Sequence, residues 1–513
     1  MTRLGARHRS FAAIVALTFA GQLCGLAYEV TVAARFGTGV DADALAFALM
    51  LVMAGTNELG TWIGTVFVPM YVERRSRPSG DVATVFFRRA LVAVVALGGG
   101  LAVSLALGAG GVVALLGGAL PTAESVGLLR LFTPLLILVP VAALLAATLQ
   151  AHDRFAAAGS RQVWWYGTTL VALFVLARRW GPATVPLGMT LGFLLYALVL
   201  AFRVRRVVPV SPVDGGTGGG ELRPLVLAVA PLALASALNY VNVSIERRLA
   251  AGLPEGSLSS LTYAFRLLNF PVNLVILNAT AMLLPALSRR AAAGDTAALG
   301  TLLTRAARLT ILFTALLAAL GMALAEPAIR LLLERGAFGR HSTALTATAV
   351  VWYAPGIVGM AAAQVLSRGY QARMDITRMV GLSVVVILLN IGLMPLLTAT
   401  IGFRGLPLAA SLTALVWFAL ALGGLGRRVP DLDVGLVVAS AARATAAGLV
   451  TIAAALGARV VAGDSPLAQV LAGAAAGLIA YAAALLAFGR SDLGVAVEVV
   501  APALARRFAA RTV

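Results

Sequence analysis

The chain consists of long apolar runs separated by short polar segments. Most runs reach the ~20 residues that an α-helix needs to cross a hydrocarbon core, and their polar positions do not alternate as they would in barrel strands. The pattern predicts an all-α polytopic membrane protein with about 14 transmembrane helices. The predicted helices span residues 11–34, 42–71, 86–116, 127–150, 163–177, 184–202, 225–249, 258–287, 303–325, 344–367, 379–400, 406–425, 437–461 and 467–488.

Corresponding signals recur in the two halves of the chain. The motif Phe67-Val-Pro69 ends an apolar run in the first half, and Leu284-Pro285 ends one in the second half. A second pair of similar motifs is Thr133-Pro134 and Ala354-Pro355. Repeats of this length in one membrane chain are typical of transporters in which one lobe moves against the other. We therefore expect two six-helix lobes followed by a C-terminal helix pair.

A polar, Gly-rich segment separates the two halves. It begins with Arg203, Arg205 and Arg206 and contains the run Asp214-Gly-Gly-Thr-Gly-Gly-Gly, which is typical of a flexible linker. The predicted organisation is a cytoplasmic N-terminal tail over 1–10, an N-lobe over 11–202, a cytoplasmic linker over 203–224, a C-lobe over 225–428, the last helix pair over 429–488 and a cytoplasmic amphipathic tail over 489–513.

Composition and charge support a membrane protein. Hydrophobic residues make up 60% of the chain, charged residues 12%, and the mean hydropathy is +0.94, which excludes a water-soluble globule. The formal net charge is +19, but the arginines fall in alternate loops and not on one basic face, which argues against nucleic acid as a partner. By the positive-inside rule this distribution places both termini in the cytoplasm, and it makes anionic membrane lipids expected partners.

Residues that could carry enzymatic chemistry are sparse. His8, His152 and His341 lie outside the predicted helices without metal-ligand spacing, and no Walker motif is present. Cys24 is the single cysteine and is interpreted as a small packing residue. We therefore expect neither an enzyme nor a metal site or other cofactor.

Polar side chains inside the apolar spans are the candidate functional residues, because an ionisable group in hydrocarbon is costly unless it faces a cavity or a partner. The candidate substrate-binding residues belong to the first, second and eighth predicted helices and are Gln22, Tyr28, Asn57, Arg266 and Asn269. The candidate cavity acids or coupling residues are Glu29, Glu58 and Asp43. Asp43 lies near a helix end, where a capping role is the alternative.

Arg266 has two interpretations. It lines a cavity, or it forms an ion pair with Glu29 or Glu58 that fixes two helices together. Asn269 and Asn273 follow it at helical spacing, so the three side chains share one side of the predicted helix. We favour the cavity.

Several motifs resemble one known family. The run Gly25-Leu-Ala-Tyr-Glu29-Val, followed by Ala34-Arg-Phe-Gly37 and closed by Phe67-Val-Pro69, is similar to the N-terminal signature of the lipid II flippase family, MurJ, also called MviN. The eighth predicted helix, with Tyr263-Ala-Phe-Arg266-Leu, resembles that family more closely. So does the run Leu366-Ser-Arg368-Gly-Tyr370-Gln-Ala-Arg-Met-Asp375, and the resemblance extends over most of the chain.

The resemblance implies a fourteen-helix, two-lobe exporter of the multidrug/oligosaccharidyl-lipid/polysaccharide superfamily. Such a protein flips a polyprenyl-pyrophosphate-linked saccharide, lipid II or a related cell-envelope glycan precursor, from the inner to the outer leaflet of the bacterial plasma membrane. It does so by alternating access and serves peptidoglycan biosynthesis. The implied partners are the lipid-linked glycan and proteins of cell-envelope synthesis.

The chain departs from the family pattern at the positions that line its cationic cavity. The resemblance aligns arginines of the family's first two helices with Gln22 and Tyr28, and with Thr56 or Asn57. Arg266 is the counterpart of the family's eighth-helix arginine. A related lipid-linked glycan is thus an alternative substrate to lipid II.

Two functions of other classes stay open. A cation-coupled drug antiporter of the same superfamily would need titrating acids in its cavity, for which Glu29 and Glu58 are candidates. A non-transporting membrane scaffold in envelope assembly would not need the cavity arginines.

Overall fold

A computed structural model shows a helical chain, without a strand among the residues that the structure describes. Those residues are 2–75, 81–118, 122–152, 159–208, 222–429 and 431–489, together with the single residues 120, 154, 492 and 494. The chain divides into two compact units, residues 1–259 and residues 260–513.

The first unit contains nine described helices and the first turn of a tenth. A π-helical turn, Ile63–Phe67, joins its second helix to its third, and a short 3-10 helix, Gly181–Ala183, joins its seventh to its eighth. The nine helices are α1 (Thr2–Phe36), α2 (Val40–Trp62), α3 (Val68–Arg75), α4 (Asp81–Leu116), α5 (Thr122–Phe132), α6 (Leu135–Ala151), α7 (Arg161–Trp180), α8 (Thr184–Val204) and α9 (Leu222–Ala251).

The second unit contains the remaining helices. Its first helix, α10 (Ser257–Ala292), begins in the first unit and continues into the second. A 3-10 turn, Gly402–Arg404, joins α13 to α14. The other helices are α11 (Thr296–Leu332), α12 (Arg340–Ala372), α13 (Ile376–Ile401), α14 (Gly405–Gly426), α15 (Val434–Val461) and α16 (Pro466–Phe488).

Every predicted span coincides with helical structure, and the all-α polytopic fold is confirmed. Eight segments of the described residues are long and apolar enough to cross a membrane. The span predicted over 127–150 is two helices, α5 and α6, because Pro134 at their junction lacks the N–H that a continuous helix requires.

The predicted domain boundaries stay predictions. The two compact units divide after Ser259, whereas the predicted linker covers 203–224. Residues 209–221 of that linker lie outside the described residues. The same holds for the tail predicted over 489–513, apart from Gly489, Asp492 and Gly494.

Small residues set the helix packing in the first unit. On α1, a Cβ added to Gly21 would lie 2.7 Å from Cβ of Gln162, and one added to Gly25 would lie 3.0 Å from the ring of Tyr166. These two glycines are one helical turn apart, so they form a single strip against which α7 packs. Glycine is required there because any side chain would separate the two helices.

Close contacts at glycines also hold α12 against α14 in the second unit. A Cβ on Gly356 would lie 2.5 Å from Cα of Ser411, and one on Gly359 would lie 2.7 Å from the carbonyl of Ala414. The Ser411 hydroxyl donates to the Trp352 carbonyl at 2.6 Å. This contact fixes the spacing between α12 and α14 along their length.

A buried charged cluster joins α11, α15 and the residues after α16. The Asp492 side chain is fully buried and accepts from Nη2 of Arg308 at 2.7 Å and from Nη1 of Arg443 at 2.5 Å. The Ser440 hydroxyl hydrogen-bonds to the same carboxylate. Two guanidinium groups thus share one carboxylate, and a hydroxyl completes its coordination.

Two further polar contacts attach the last helix pair to α11. The Tyr481 hydroxyl donates to the Leu312 carbonyl at 2.7 Å, and Nη1 of Arg459 donates to the Ala323 carbonyl at 2.6 Å. Together with the Arg308–Asp492 pair, these contacts lie along the central part of α11, from Arg308 to Ala323.

Candidate substrate site

The predicted site residues of α1 differ in burial. Tyr28 is 1% exposed, and its ring lies 5.3 Å from that of Tyr166, so it continues the packing surface formed by Gly21 and Gly25. Glu29 is also buried, whereas Gln22 is half-buried. Tyr28 therefore has an evident packing contact, and substrate binding by Tyr28 and Gln22 stays a prediction.

Asp43 caps a helix start. Its Oδ2 accepts the Gly256 amide at 2.8 Å, and its Oδ1 accepts the amide and hydroxyl of Ser259 at 2.8 and 2.7 Å. Gly256 immediately precedes α10 and Ser259 lies in its first turn, where backbone amides have no acceptor within the helix. A carboxylate at the positive end of a helix is also favoured electrostatically.

A second carboxylate makes the reverse contact. Oε1 of Glu255, just before α10, accepts the Val40 amide at the start of α2 at 3.1 Å. The spans 42–71 and 258–287 are the repeat partners predicted from the sequence. In the structure Asp43 in the first turn of α2 and Glu255 just before α10 each accept an amide at the start of the other helix. A coupling role for Asp43 stays a prediction.

Arg266 and Asn269 lie on α10 within the second unit. Arg266 is half-buried, whereas Asn269 is buried and its Nδ2 donates to the Phe265 carbonyl at 2.8 Å. Two aromatic contacts hold this stretch of α10, one between Phe265 and Tyr353 and one between Tyr263 and Phe338, each with ring centroids 5.7 Å apart. The backbone just before Arg266 is thus held by these two aromatic contacts.

The remaining predicted residues, Asn57 and Glu58, belong to α2. Their side chains lie outside the described residues. Of the predicted set, the structure places Gln22, Tyr28, Glu29 and Asp43 in the first unit and Arg266 and Asn269 in the second.

Sequence reasoning missed a buried cation, Arg247, near the end of α9. The residue is 3% exposed, and its Nη2 lies 3.6 Å from Oε1 of Glu246. Its Nε and Nη1 have no hydrogen-bond partner in the described part of the chain. The signal was available as the run Glu246-Arg247-Arg248 at the end of a predicted helix. Its neighbour Arg248 hydrogen-bonds the Leu115 carbonyl at the end of α4.

Within the described residues, no group of three or more His, Cys, Asp or Glu side chains could hold a metal ion. His152 instead lies 3.1 Å from the Tyr71 hydroxyl, measured from its Nε2.

The fold is shared with solved membrane transporters. A structure described as "Lipid II flippase MurJ, inward closed conformation" matches 93% of this chain and 99% of its own, with a TM-score of 0.79 at 19% identity. An inward-facing multidrug resistance MATE family transporter of the MOP superfamily matches 82% of this chain and 99% of its own, with a TM-score of 0.70 at 16% identity. The fold class is therefore that of a multi-pass, all-α membrane protein.

The family follows from the sequence comparison. The family model described as "Lipid II flippase MurJ" matches residues 32–467, and the chain belongs to that family. A probable lipid II flippase MurJ of Vibrio cholerae is 27% identical over 80% of this chain and 81% of its own length. Another, from Rhizobium meliloti, is 28% identical over 85% of each chain. Membership confirms the predicted resemblance and the expectation of a transporter in place of an enzyme.

Proposed function

We propose that this protein flips a polyprenyl-pyrophosphate-linked saccharide, lipid II or a related envelope glycan precursor, from the inner to the outer leaflet by alternating access. The observation that carries the proposal is the family match over residues 32–467. The relatives in Vibrio cholerae and Rhizobium meliloti bear the name of probable lipid II flippases.

Arg266 is the proposed headgroup contact. A guanidinium binds two phosphate oxygens at once, which a pyrophosphate offers and a neutral sugar does not. Its half-buried position on α10 and the aromatic contacts that hold the backbone just before it support this role, since a preorganised donor loses little entropy on binding.

The antiporter alternative is less well supported. A cation-coupled antiporter needs a cavity acid that exchanges protons, for which Glu29, Glu58 and Asp43 are the candidates. Of these, the Asp43 carboxylate accepts three hydrogen bonds at the start of α10, which favours a fixed structural role for Asp43. The MATE similarity at 16% identity concerns the fold alone.

The proposed location is the bacterial plasma membrane with both termini in the cytoplasm. The distribution of arginines in the sequence supports this orientation. Anionic lipids of the inner leaflet and proteins of envelope synthesis are the proposed partners besides the lipid-linked glycan.

The test is complementation of a bacterial strain depleted of its own lipid II flippase, with transport and membrane abundance measured together. The wild-type chain is expected to restore growth. Arg266→Ala should lower transport about ten- to a hundredfold at normal abundance, because it removes a charged hydrogen bond worth roughly 1.5–3 kcal/mol. Arg266→Lys should restore it only in part, since the bidentate geometry is lost.

Arg289 is the matched control, since it is an exposed arginine on the same helix. Arg289→Ala should transport normally. If Arg266 is instead half of an ion pair, Arg266→Ala will reduce membrane abundance, and adding Glu29→Gln or Glu58→Gln will restore it. Normal transport by Arg266→Ala would refute the headgroup contact, and a chain that fails to complement while abundant would refute lipid II as its substrate.

A further inference from the structure

The second unit contains a cavity at the end of the helix bundle opposite Asp492. It has a volume of about 890 Å³ and lies where α11 ends and α12 begins. The turn between α13 and α14 and the turn after α15 complete its wall through Arg404 and Asp464. Three helix-to-helix turns of one unit thus surround a single charged opening.

Four arginines line the cavity, against three carboxylates. Two of the arginines have carboxylate neighbours: Nε of Arg330 lies 3.8 Å from Oε2 of Glu334, and Nη2 of Arg459 lies 3.4 Å from Oε2 of Glu326. Both lie near the C-terminal ends of their helices, α11 and α15, where a positive charge is stabilised by the helix dipole. Ordinary structural electrostatics explains these two arginines.

The other two arginines are placed differently. Arg340 is the first residue of α12, and Arg404 immediately precedes α14, so each lies at the positive end of a helix. Neither helix start receives a side-chain cap. Both side chains are exposed, and neither has a carboxylate within 4.0 Å among the described residues. A cation at a helix N-terminus is disfavoured by the helix dipole, and an anion bound beside it would offset that cost.

The lining of the cavity changes from charged to apolar along α12. From Arg340 at the rim, the lining residues of this helix continue through Thr343, Ala347 and Thr348 to Trp352. Twelve residues of helix cover roughly 18 Å at 1.5 Å per residue. Met322 of α11 and Val351 add apolar wall at the inner end. A ligand that fits this gradient has an anionic group at one end and an apolar part at the other.

We propose that Arg340 and Arg404 bind the phosphate of an amphipathic phosphate-bearing molecule, the headgroup of an anionic lipid, with its apolar part extending toward Trp352. The shared chemistry is a phosphate oxyanion, to which two guanidinium groups and two helix starts donate. This site is separate from Arg266 and does not depend on the proposed transport function.

Binding is tested on the full-length protein in detergent, titrated with phosphatidylglycerol, phosphatidylcholine or inorganic phosphate while thermal unfolding is followed. Phosphatidylglycerol is expected to raise the unfolding temperature. The double variant R340Q/R404Q should bind phosphatidylglycerol at least about tenfold more weakly than wild type. The matched control R289Q/R373Q removes two exposed arginines from the other end of the same unit and should bind within about twofold of wild type.

A second readout separates a lipid from free phosphate. Lipid with brominated acyl chains should quench the fluorescence of wild type more than that of W352F, since Trp352 lines the apolar end. Equal quenching in both proteins, or an equal effect of inorganic phosphate alone, would overturn the lipid headgroup as ligand. Unchanged lipid binding by R340Q/R404Q would overturn the site.

Folding of the variants gives an independent check. Because Arg340 and Arg404 lie at the positive ends of helices, R340Q/R404Q without lipid should unfold at the same temperature as wild type or higher. A marked loss of stability without lipid would mean that these arginines have a structural role and would overturn the proposal.

Discussion

The two ends of the second unit use the same residue types in opposite ways. At one end, Arg308 and Arg443 are bound to a fully buried carboxylate, Asp492. At the other end, Arg340 and Arg404 line an open cavity and have no carboxylate within 4.0 Å in the described part of the chain. Arg308 and Arg330 belong to one helix, roughly 33 Å apart at 1.5 Å per residue. Whether an arginine stabilises the fold or binds a ligand therefore depends on its burial and on its partners.

The largest effect is expected at the buried end. Asp492→Asn removes the charge that Arg308 and Arg443 share, and an uncompensated buried cation costs roughly 3 to 5 kcal/mol. Thermal unfolding of the purified protein measures it. Asp431→Asn, at an exposed carboxylate, is the control and should change little. If Asp492→Asn and Asp431→Asn unfold at the same temperature, the buried pairs of Asp492 with Arg308 and Arg443 do not stabilise this end of the unit.

An intermediate loss of stability is expected where α12 packs against α14. Arg340 begins α12 and Arg404 precedes α14, and Gly359→Ala places a Cβ 2.7 Å from the Ala414 carbonyl where these two helices pack. Overpacking of this kind costs typically 1–3 kcal/mol. The variant should also weaken lipid binding, because the two arginines move apart.

Gly381 of α13 provides the matched substitution for that test, since nothing lies within 4 Å of a Cβ added there. Gly381→Ala should be neutral or stabilise the chain by up to about 1 kcal/mol, through the better helix propensity of alanine. A destabilised Gly381→Ala would show that helix substitution itself, and not the close contact, causes the loss.

The smallest effect on stability is expected at the open end. Glu326 is 58% exposed, so its pair with Arg459 contributes at most about 1 kcal/mol and Glu326→Gln should unfold nearly as wild type. The same change removes a negative charge from the cavity, so binding of phosphatidylglycerol should tighten. Weaker binding in this variant would contradict an anion site.

Much of the fold was predictable, because ~20-residue apolar runs in a membrane chain have few alternatives to helix. Arg266 was chosen as a candidate from its position in an apolar span, and its role stays a prediction, as does the repeat that relates Pro69 of α3 to Pro285 of α10. The reciprocal contact of Asp43 and Glu255 was not predictable, since it joins residues more than 200 positions apart. The buried ion pairs of Asp492 were not predictable either, because in the sequence this residue lies in a tail predicted to be amphipathic.

The cavity arginines show a second limit of sequence reasoning. Arg340 and Arg404 lie between predicted spans, where a charged residue is unremarkable. Their significance depends on three turns that meet in space, and no local pattern records that meeting. Arg330 and Arg340 also follow one another closely in sequence, although within the described residues only Arg330 has a carboxylate within 4.0 Å.

The attachment of α15 and α16 to α11 should keep the distance between these helices constant. Asp492, just beyond α16, contacts Arg308 of α11, Tyr481 contacts the Leu312 carbonyl, and Arg459 contacts the Ala323 carbonyl. A pair of spin labels on exposed positions of α11 and α16 should therefore give one narrow distance distribution in every conformation of the protein. That constant distance would calibrate any label placed elsewhere, and a broadened distribution would reveal that the fastening opens during the cycle.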